Sequence, residues 1–211
     1  YTSSAVARMN LFLHGLEDFE IAHGDTLRNP AFTANDKLKT FDCVLANPPF
    51  SLKKWGSNKW STDTWGRNTF GTPPDGNADY AWIQHMICSM KDDSGRMAVV
   101  LPQGVLFRGG IEKKIRKQIV EKDYIETIIG LGANLFFGTN LAACILVLQK
   151  KKSKKKRKSI QIIDASSFIR IARAQNFLDP VHIQDILQIY YSYQNIPHRS
   201  SIINNDTIRQ Q

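Results

Sequence analysis

Asn47, Pro48, Pro49 and Phe50 follow directly on an apolar segment, Phe41 to Ala46, in the stretch FDCVLANPPFS. Proline has no N–H, so this turn offers hydrogen-bond acceptors and few donors. Asn47 contributes a side-chain carbonyl and Pro48 a main-chain carbonyl, and the two rings restrict the backbone so that both oxygens can face one point. Such a pair suits a substrate with an –NH2 group. Phe50 adds a flat face on which a conjugated ring can stack. An amino group on an aromatic base meets both requirements. Its lone pair is shared with the ring, which makes it a poor nucleophile. Accepting a hydrogen bond from each of its two N–H groups favours a pyramidal nitrogen and frees that pair. A neutral amide does this without adding a buried charge. A methyl sulfonium donor then needs only in-line placement, and a base within a duplex must first leave the stack. Asn-Pro pairs also serve as plain strand-ending turns; the apolar strand before and the aromatic ring after favour the chemical reading.

The elements that must hold this turn alternate along the chain. Ala5, Met9, Phe12, Leu13 and Leu16 recur at helical spacing over residues 3–14. A short strand is expected at 19–22, and a strand at 41–46 carries Asn47 at its carboxyl end, where ligands of open α/β sheets sit. Residues 51–77 show neither period 2 nor period 3.6, and a loop that long is usually functional. Asn77 caps a helix in ADYAWIQHMICSM, with Trp82, Ile83, Met86, Ile87 and Met90 on one face. RMAVVLP, a nearly unbroken apolar run, reads as a strand covered on both faces. The helix IEKKIRKQIVEK is followed by the strands YIETIIGL, LAACILVLQ and IQIIDAS. Asp179 and Pro180 open a last helix, a candidate partner surface, and the tail from Pro197 is polar and unpatterned. Strands alternate with helices to about residue 130 and then follow one another. That order predicts an α/β fold whose sheet is mostly parallel with an antiparallel end. Two parts are expected, 1–150 and an extension over 151–211 with one strand and the partner helix.

Charge says less than its total of +9 suggests. The run 150–158, KKKSKKKRK, holds eight of the basic residues; without them 20 basic residues face 19 acidic ones. The body is near neutral, so composition alone identifies no partner. The run lies between two strands. It reads as a solvated hairpin tip or, through Lys154 and Lys155, as a sequence-independent phosphate contact. Trp55, Trp60 and Trp65 stand among Lys53, Lys54, Lys59 and Arg67. Lys53, Trp55 and Arg67 are candidates for nucleic-acid contact, aromatic among basic; packing of the loop onto the domain is the other reading. Gly130 and Gly132 precede a strand rather than a helix, so they form a tight turn and no anion site. Cys43, Cys88 and Cys144 sit in apolar segments without metal-ligand spacing and are expected as buried thiols, with no metal.

The succession ARMNLFLHG, GDTL, FDCVLANPPFS, ADYAWIQHM, VVLPQGVLFRGG, IRK, NLFFGT, ILVLQKKK and IDAS resembles the modification subunit of type I restriction-modification systems, which are adenine-N6 DNA methyltransferases. The four-residue NPPF turn is shared with other amino-methyltransferases; its combination with RMNLFLHG and LPQGVLFRGG is far more specific. The resemblance implies a Rossmann-like, S-adenosylmethionine-dependent fold lacking its first strands. In it Asn47 and Pro48 hold the adenine amino group, Pro49 stiffens the turn, Phe50 stacks on the flipped base, and Asp25 contacts the cofactor's adenine. It also implies double-stranded DNA, a specificity subunit and a restriction subunit as partners, in a prokaryotic cytoplasm. The family's glycine-rich loop and acidic ribose-binding residue are not in this sequence, so this chain alone is expected to be inactive and not to bind the cofactor measurably. A glutamine or RNA amino-methyltransferase, which uses the same Asn-Pro-Pro logic, and a non-catalytic remnant that binds nucleic acid or a partner are the alternatives.

Overall fold

The computed structural model describes residues 2–209. The chain begins with helix α1 (Thr2–Leu13), the strands β1 (Thr33–Ala34), β2 (Lys37–Leu38) and β3 (Cys43–Ala46), and a single helical turn, α2 (Ser57–Trp60). It continues through α3 (Asp79–Cys88), β4 (Arg96–Pro102), α4 (Gly110–Glu121), β5 (Ile125–Leu131), β6 (Ala143–Gln149), β7 (Ser159–Ala165), α5 (Pro180–Ser192), β8 (Ser200–Asn204) and α6 (Asn205–Arg209).

Six strands form one sheet in the order β3-β4-β6-β5-β7-β8. Period-2 alternation in β4 sends Met97, Val99 and Leu101 to the face covered by Ile83, Met86 and Ile87 of α3 and by Ile115 and Ile119 of α4. Val100 turns to the opposite face, in the cluster that holds Ile186 of α5. Covering both faces explains the unbroken apolar run.

The α/β class is as expected, but the sheet is mixed rather than mostly parallel. β3 runs parallel to β4 and β5 parallel to β7, whereas β4–β6, β5–β6 and β7–β8 are antiparallel. The link 132–142 is too short for a helical crossover, so β6 must return antiparallel to β5, and it inserts between β5 and β4. The expected strand at 19–22 does not form, because no strand lies beside it among the described residues. The tail from Pro197 is structured after all: β8 pairs with β7 over Ser200–Asn204, and α6 follows. Residues from 151 onward therefore add two strands to the same sheet, not one. The hairpin β1–β2 turns on Asn35 and Asp36 at φ 50° and 58°, the two-residue geometry that suits strand twist.

Among the described residues β3 is paired on its β4 side alone, and Leu45 is 73% exposed. This edge position leaves Cys43 exposed, against the expectation of three buried thiols; Cys144 is buried and Cys88 half-buried. Met9, Phe12 and Leu13 of α1 are likewise exposed.

Three lysines of the basic run form an internal staple, while the other five basic residues are exposed. Lys150 pairs with Asp92. Lys152 is buried and donates to the carbonyls of Ile125 and Ser159 and pairs with Asp123. A bulge between Ile125 and Thr127 re-aims the buried Glu126. That carboxylate accepts from Lys156 at 2.9 Å and from the Tyr190 hydroxyl of α5 at 2.6 Å. The Lys156 ammonium also lies over the rings of Tyr190 and Tyr193, at 4.8 and 5.0 Å. The run thus ties α5 to the sheet.

Candidate active site

Asn47 stands where β3 ends. It is exposed, Pro48 beneath it is buried, and Phe50 is half-buried. No described residue hydrogen-bonds to the Asn47 side-chain amide, which is free to bind a ligand. The residues that follow are tied to the start of α3: Ser51 N–H donates to Asp79 Oδ1 at 2.8 Å, and Ala78 N–H to the Leu52 carbonyl at 3.0 Å.

The antiparallel return of β6 brings a second aromatic group to this end of the sheet. Ala143, the first residue of β6, pairs with Pro102, the last of β4. The link 132–142 therefore lies over the carboxyl ends of β4 and β3, beside Asn47. Its Phe136 meets Phe50 edge-on, with ring centroids 6.0 Å apart at 68°, and Phe137 is 98% exposed. Gln175 and Asn176 brace the link by donating to the carbonyls of Leu135, Asn134 and Ala133. Sequence reasoning quoted NLFFGT but gave its aromatics no role. The available signal was a Phe-Phe pair in a polar, glycine-containing link at the ligand end of the sheet.

Asp25 is exposed in the turn after Gly24. Its carboxylate accepts from the backbone N–H groups of Leu27 and Arg28 and pairs with the Arg28 guanidinium at 2.9 Å. Arg28 in turn donates to the Lys54 carbonyl, so this turn is attached to the loop that follows Phe50.

Of the residues expected at nucleic acid, Lys53 is exposed close to Phe50. Trp55 is not available. It is 2% exposed, its indole N–H donates to the Pro74 carbonyl, and its ring meets Trp60 edge-on. Arg67 is 1% exposed; it is bound by Asp63 and by the carbonyls of Thr26 and Leu27, with its guanidinium on Trp60 and Trp65. For these two, loop packing won. Lys154 and Lys155 are exposed but lie at the other end of the sheet, because Gln149 pairs with Arg96, the first residue of β4. In the parallel register of β3 and β4 Asn47 stands level with Val100, four residues along β4 from Arg96, about 13 Å at ~3.3 Å per residue, and both lysines lie beyond Gln149. Lys155 also lies over Tyr193.

His85 of α3 backs this loop, its Nδ1 3.4 Å from Arg67 Nη1. Burial, and then the Arg67 charge, push its pKa from 6.5 to about 4, with Asp63 opposing. The folded value lies below the unfolded one, so the unfolded state takes up the extra proton. Stability is present above pH 6.5 and is lost as the pH falls toward 4, by on the order of 3 kcal/mol. His85→Gln is expected to flatten that part of the pH dependence in urea unfolding. An unchanged slope would show that the ring is solvated.

A family model for N-6 DNA methylase matches residues 1–211. The methylase subunit of the type I restriction enzyme MjaVII of Methanocaldococcus jannaschii is 36% identical over 97% of this chain and 36% of its own length. That of MpnII of Mycoplasma pneumoniae is 30% identical over 100% of this chain and 40% of its own. The crystal structure of the type I restriction-modification system methyltransferase subunit from Streptococcus thermophilus superimposes with a TM-score of 0.89 at 35% identity, over 98% of this chain and 44% of that one. The chain thus spans less than half the length of these relatives. With Asn-Pro-Pro-Phe at the ligand end of a mixed α/β sheet, the chain belongs to the N-6 DNA methylase family.

Proposed function

We propose that this chain is the target-base part of the modification subunit of a type I restriction-modification system, acting on the N6 amino group of an adenine in double-stranded DNA. The observation that carries the proposal is the exposed, unpartnered Asn47 amide beside the ring pair of Phe50 and Phe136. A flipped adenine stacked on Phe50 presents its amino group to the Asn47 and Pro48 carbonyls, and Phe137 is free to close on its other side. Attack by N6 leaves a positive nitrogen carrying an extra proton, and two fixed carbonyl dipoles stabilise it without reorganising.

S-adenosylmethionine supplies an electrophilic methyl group in this chemistry. The site fits it in part. Asn47 has a free carbonyl on the ligand side, while the Asp25 carboxylate is already held by Arg28 and two backbone amides and would have to be shared. Lys53 is the candidate for phosphate contact. Ile183, Leu187 and Tyr191 form an exposed stripe along α5 at four-residue spacing, the proposed surface for the specificity subunit; the restriction subunit completes the assembly.

The test is a methyl-transfer assay of the full-length protein with its specificity subunit, using labelled S-adenosylmethionine. Duplex DNA, RNA and protein acceptors are offered in parallel, and the product is identified by nucleoside mass spectrometry. N6-methyladenine in DNA alone is the expected outcome. Label in RNA or on glutamine would overturn the proposal.

A further inference from the structure

Asp79, the first residue of α3, is fully buried. One carboxylate oxygen accepts the Ser51 N–H at 2.8 Å and the other accepts from Arg108 Nη2 at 2.6 Å. Arg108 is forked onto a second buried carboxylate, Glu112, with Nε 2.6 Å from Oε2 and Nη2 3.1 Å from Oε1. Its backbone is held as well, since Arg116 donates to the carbonyls of Arg108 and Val105. Gly104 leaves room for the guanidinium: a Cβ there would stand 2.5 Å from Arg108 Nη1.

Asp79 in the first turn of α3 complements the helix dipole, but folding alone does not require two buried carboxylates around one arginine. Desolvating a carboxylate is costly, and an apolar residue of similar volume often stabilises a core as well or better. What the carboxylate does hold is a strained backbone. Ser51 has φ 50°, a conformation that costs a non-glycine residue on the order of 1 kcal/mol and that clusters at functional sites. Ser51 directly follows Phe50, so its N–H direction is coupled to the aim of the whole Asn47–Phe50 turn.

We propose that Asp79 and Arg108 are positioning residues for that turn, the Asp79 carboxylate fixing Ser51 and Arg108 fixing the carboxylate. The inference rests on the methyl-transfer reading above. Asp79→Asn keeps an acceptor for Ser51 but loses the ion pair; Asp79→Ala loses both. In the full-length protein with its specificity subunit, kcat is expected to fall about tenfold in Asp79→Asn and about a hundredfold in Asp79→Ala, the scale of a misplaced reacting group. KM for DNA is expected to stay within about threefold, and Arg108→Lys is expected to keep more activity than Arg108→Met. Amide exchange of Ser51, followed by NMR, gives a readout independent of activity. It is expected to quicken in Asp79→Ala about tenfold while the amides of β4 hold their rates. Should Asp79→Ala not fold, Asp79→Asn and the two Arg108 variants carry the same comparison. A wild-type kcat in Asp79→Asn and Arg108→Met, or a loss shared equally by KM, overturns the positioning role. A wild-type protein that leaves adenine unmethylated overturns the reading of the site instead, and Ser51 exchange then decides the geometry by itself.

Discussion

Replacing Asn47 with alanine in the full-length protein is expected to lower methylation turnover by about 10²–10³-fold, the usual loss when one preorganised dipole is removed from a transition state. Affinity for S-adenosylmethionine is expected to stay within about threefold of wild type. The split follows from the geometry. The Asn47 side chain is exposed and held by no described neighbour, so its loss opens no cavity and leaves no group unpaired. In the proposed reaction its carbonyl meets the amine as charge develops there and makes no contact that cofactor binding alone requires. Single-turnover methylation with saturating DNA, beside calorimetry with the cofactor, separates the two quantities. An equal loss in both would make Asn47 a binding residue and leave the Pro48 carbonyl without its counterpart.

The second large effect is on stability. Arg67→Ala is expected to cost about 3–5 kcal/mol in chemical denaturation, the range for removing one partner of a buried ion pair. Asp63 would be left with its side chain 3% exposed and no cation. The carbonyls of Thr26 and Leu27 would lose their donors, and the rings of Trp60 and Trp65, 4.6 and 5.1 Å from the guanidinium, would lose their packing. The same contacts tie the Asp25 turn to the long loop, so this variant is also expected to loosen the region around Asp25. The double variant Arg67→Met with Asp63→Leu should recover much of the loss, because it leaves no buried charge behind. A cost under about 1 kcal/mol for Arg67→Ala would mean a solvated guanidinium, and nucleic-acid contact would again be the better reading of this residue.

The residues differ in how far their sequence announced them. RMAVVLP is a nearly unbroken apolar run and was readable as a strand covered on both faces, and the place of Asn47 at the carboxyl end of a strand was readable from the apolar segment that precedes the two prolines. The edge character of β3 was not readable. Phe41 to Ala46 is as apolar as an interior strand, and whether its outer side is paired depends on chain that is not local to it. The place of β6 lay hidden for a related reason: the length of the 132–142 link fixes an antiparallel return but says nothing about which strands receive it. Trp55 and Arg67 look like contact residues by type. Only the positions of Asp63, Pro74 and two backbone carbonyls show them to be interior. The 150–158 run was legible as a solvated tip at Lys151, Lys154, Lys155, Arg157 and Lys158, which are exposed; its charge density hid that Lys150, Lys152 and Lys156 pair with Asp92, Asp123 and Glu126 from distant segments. The bulge that presents Glu126 has no glycine or proline to mark it.

The place of β6 between β4 and β5 also bears on how the molecule is made. A ribosome releases β3, β4 and β5 before it releases the strand that joins them, and until then β5 has no edge through which to reach β4. The β3–β4 pair that carries Asn47 and the strand β5 wait unjoined for one later segment, a non-local closure of the kind that slows folding. Nascent chains arrested shortly before residue 143 should remain open to protease at the Asn47 turn, and those arrested well beyond residue 149 should resist.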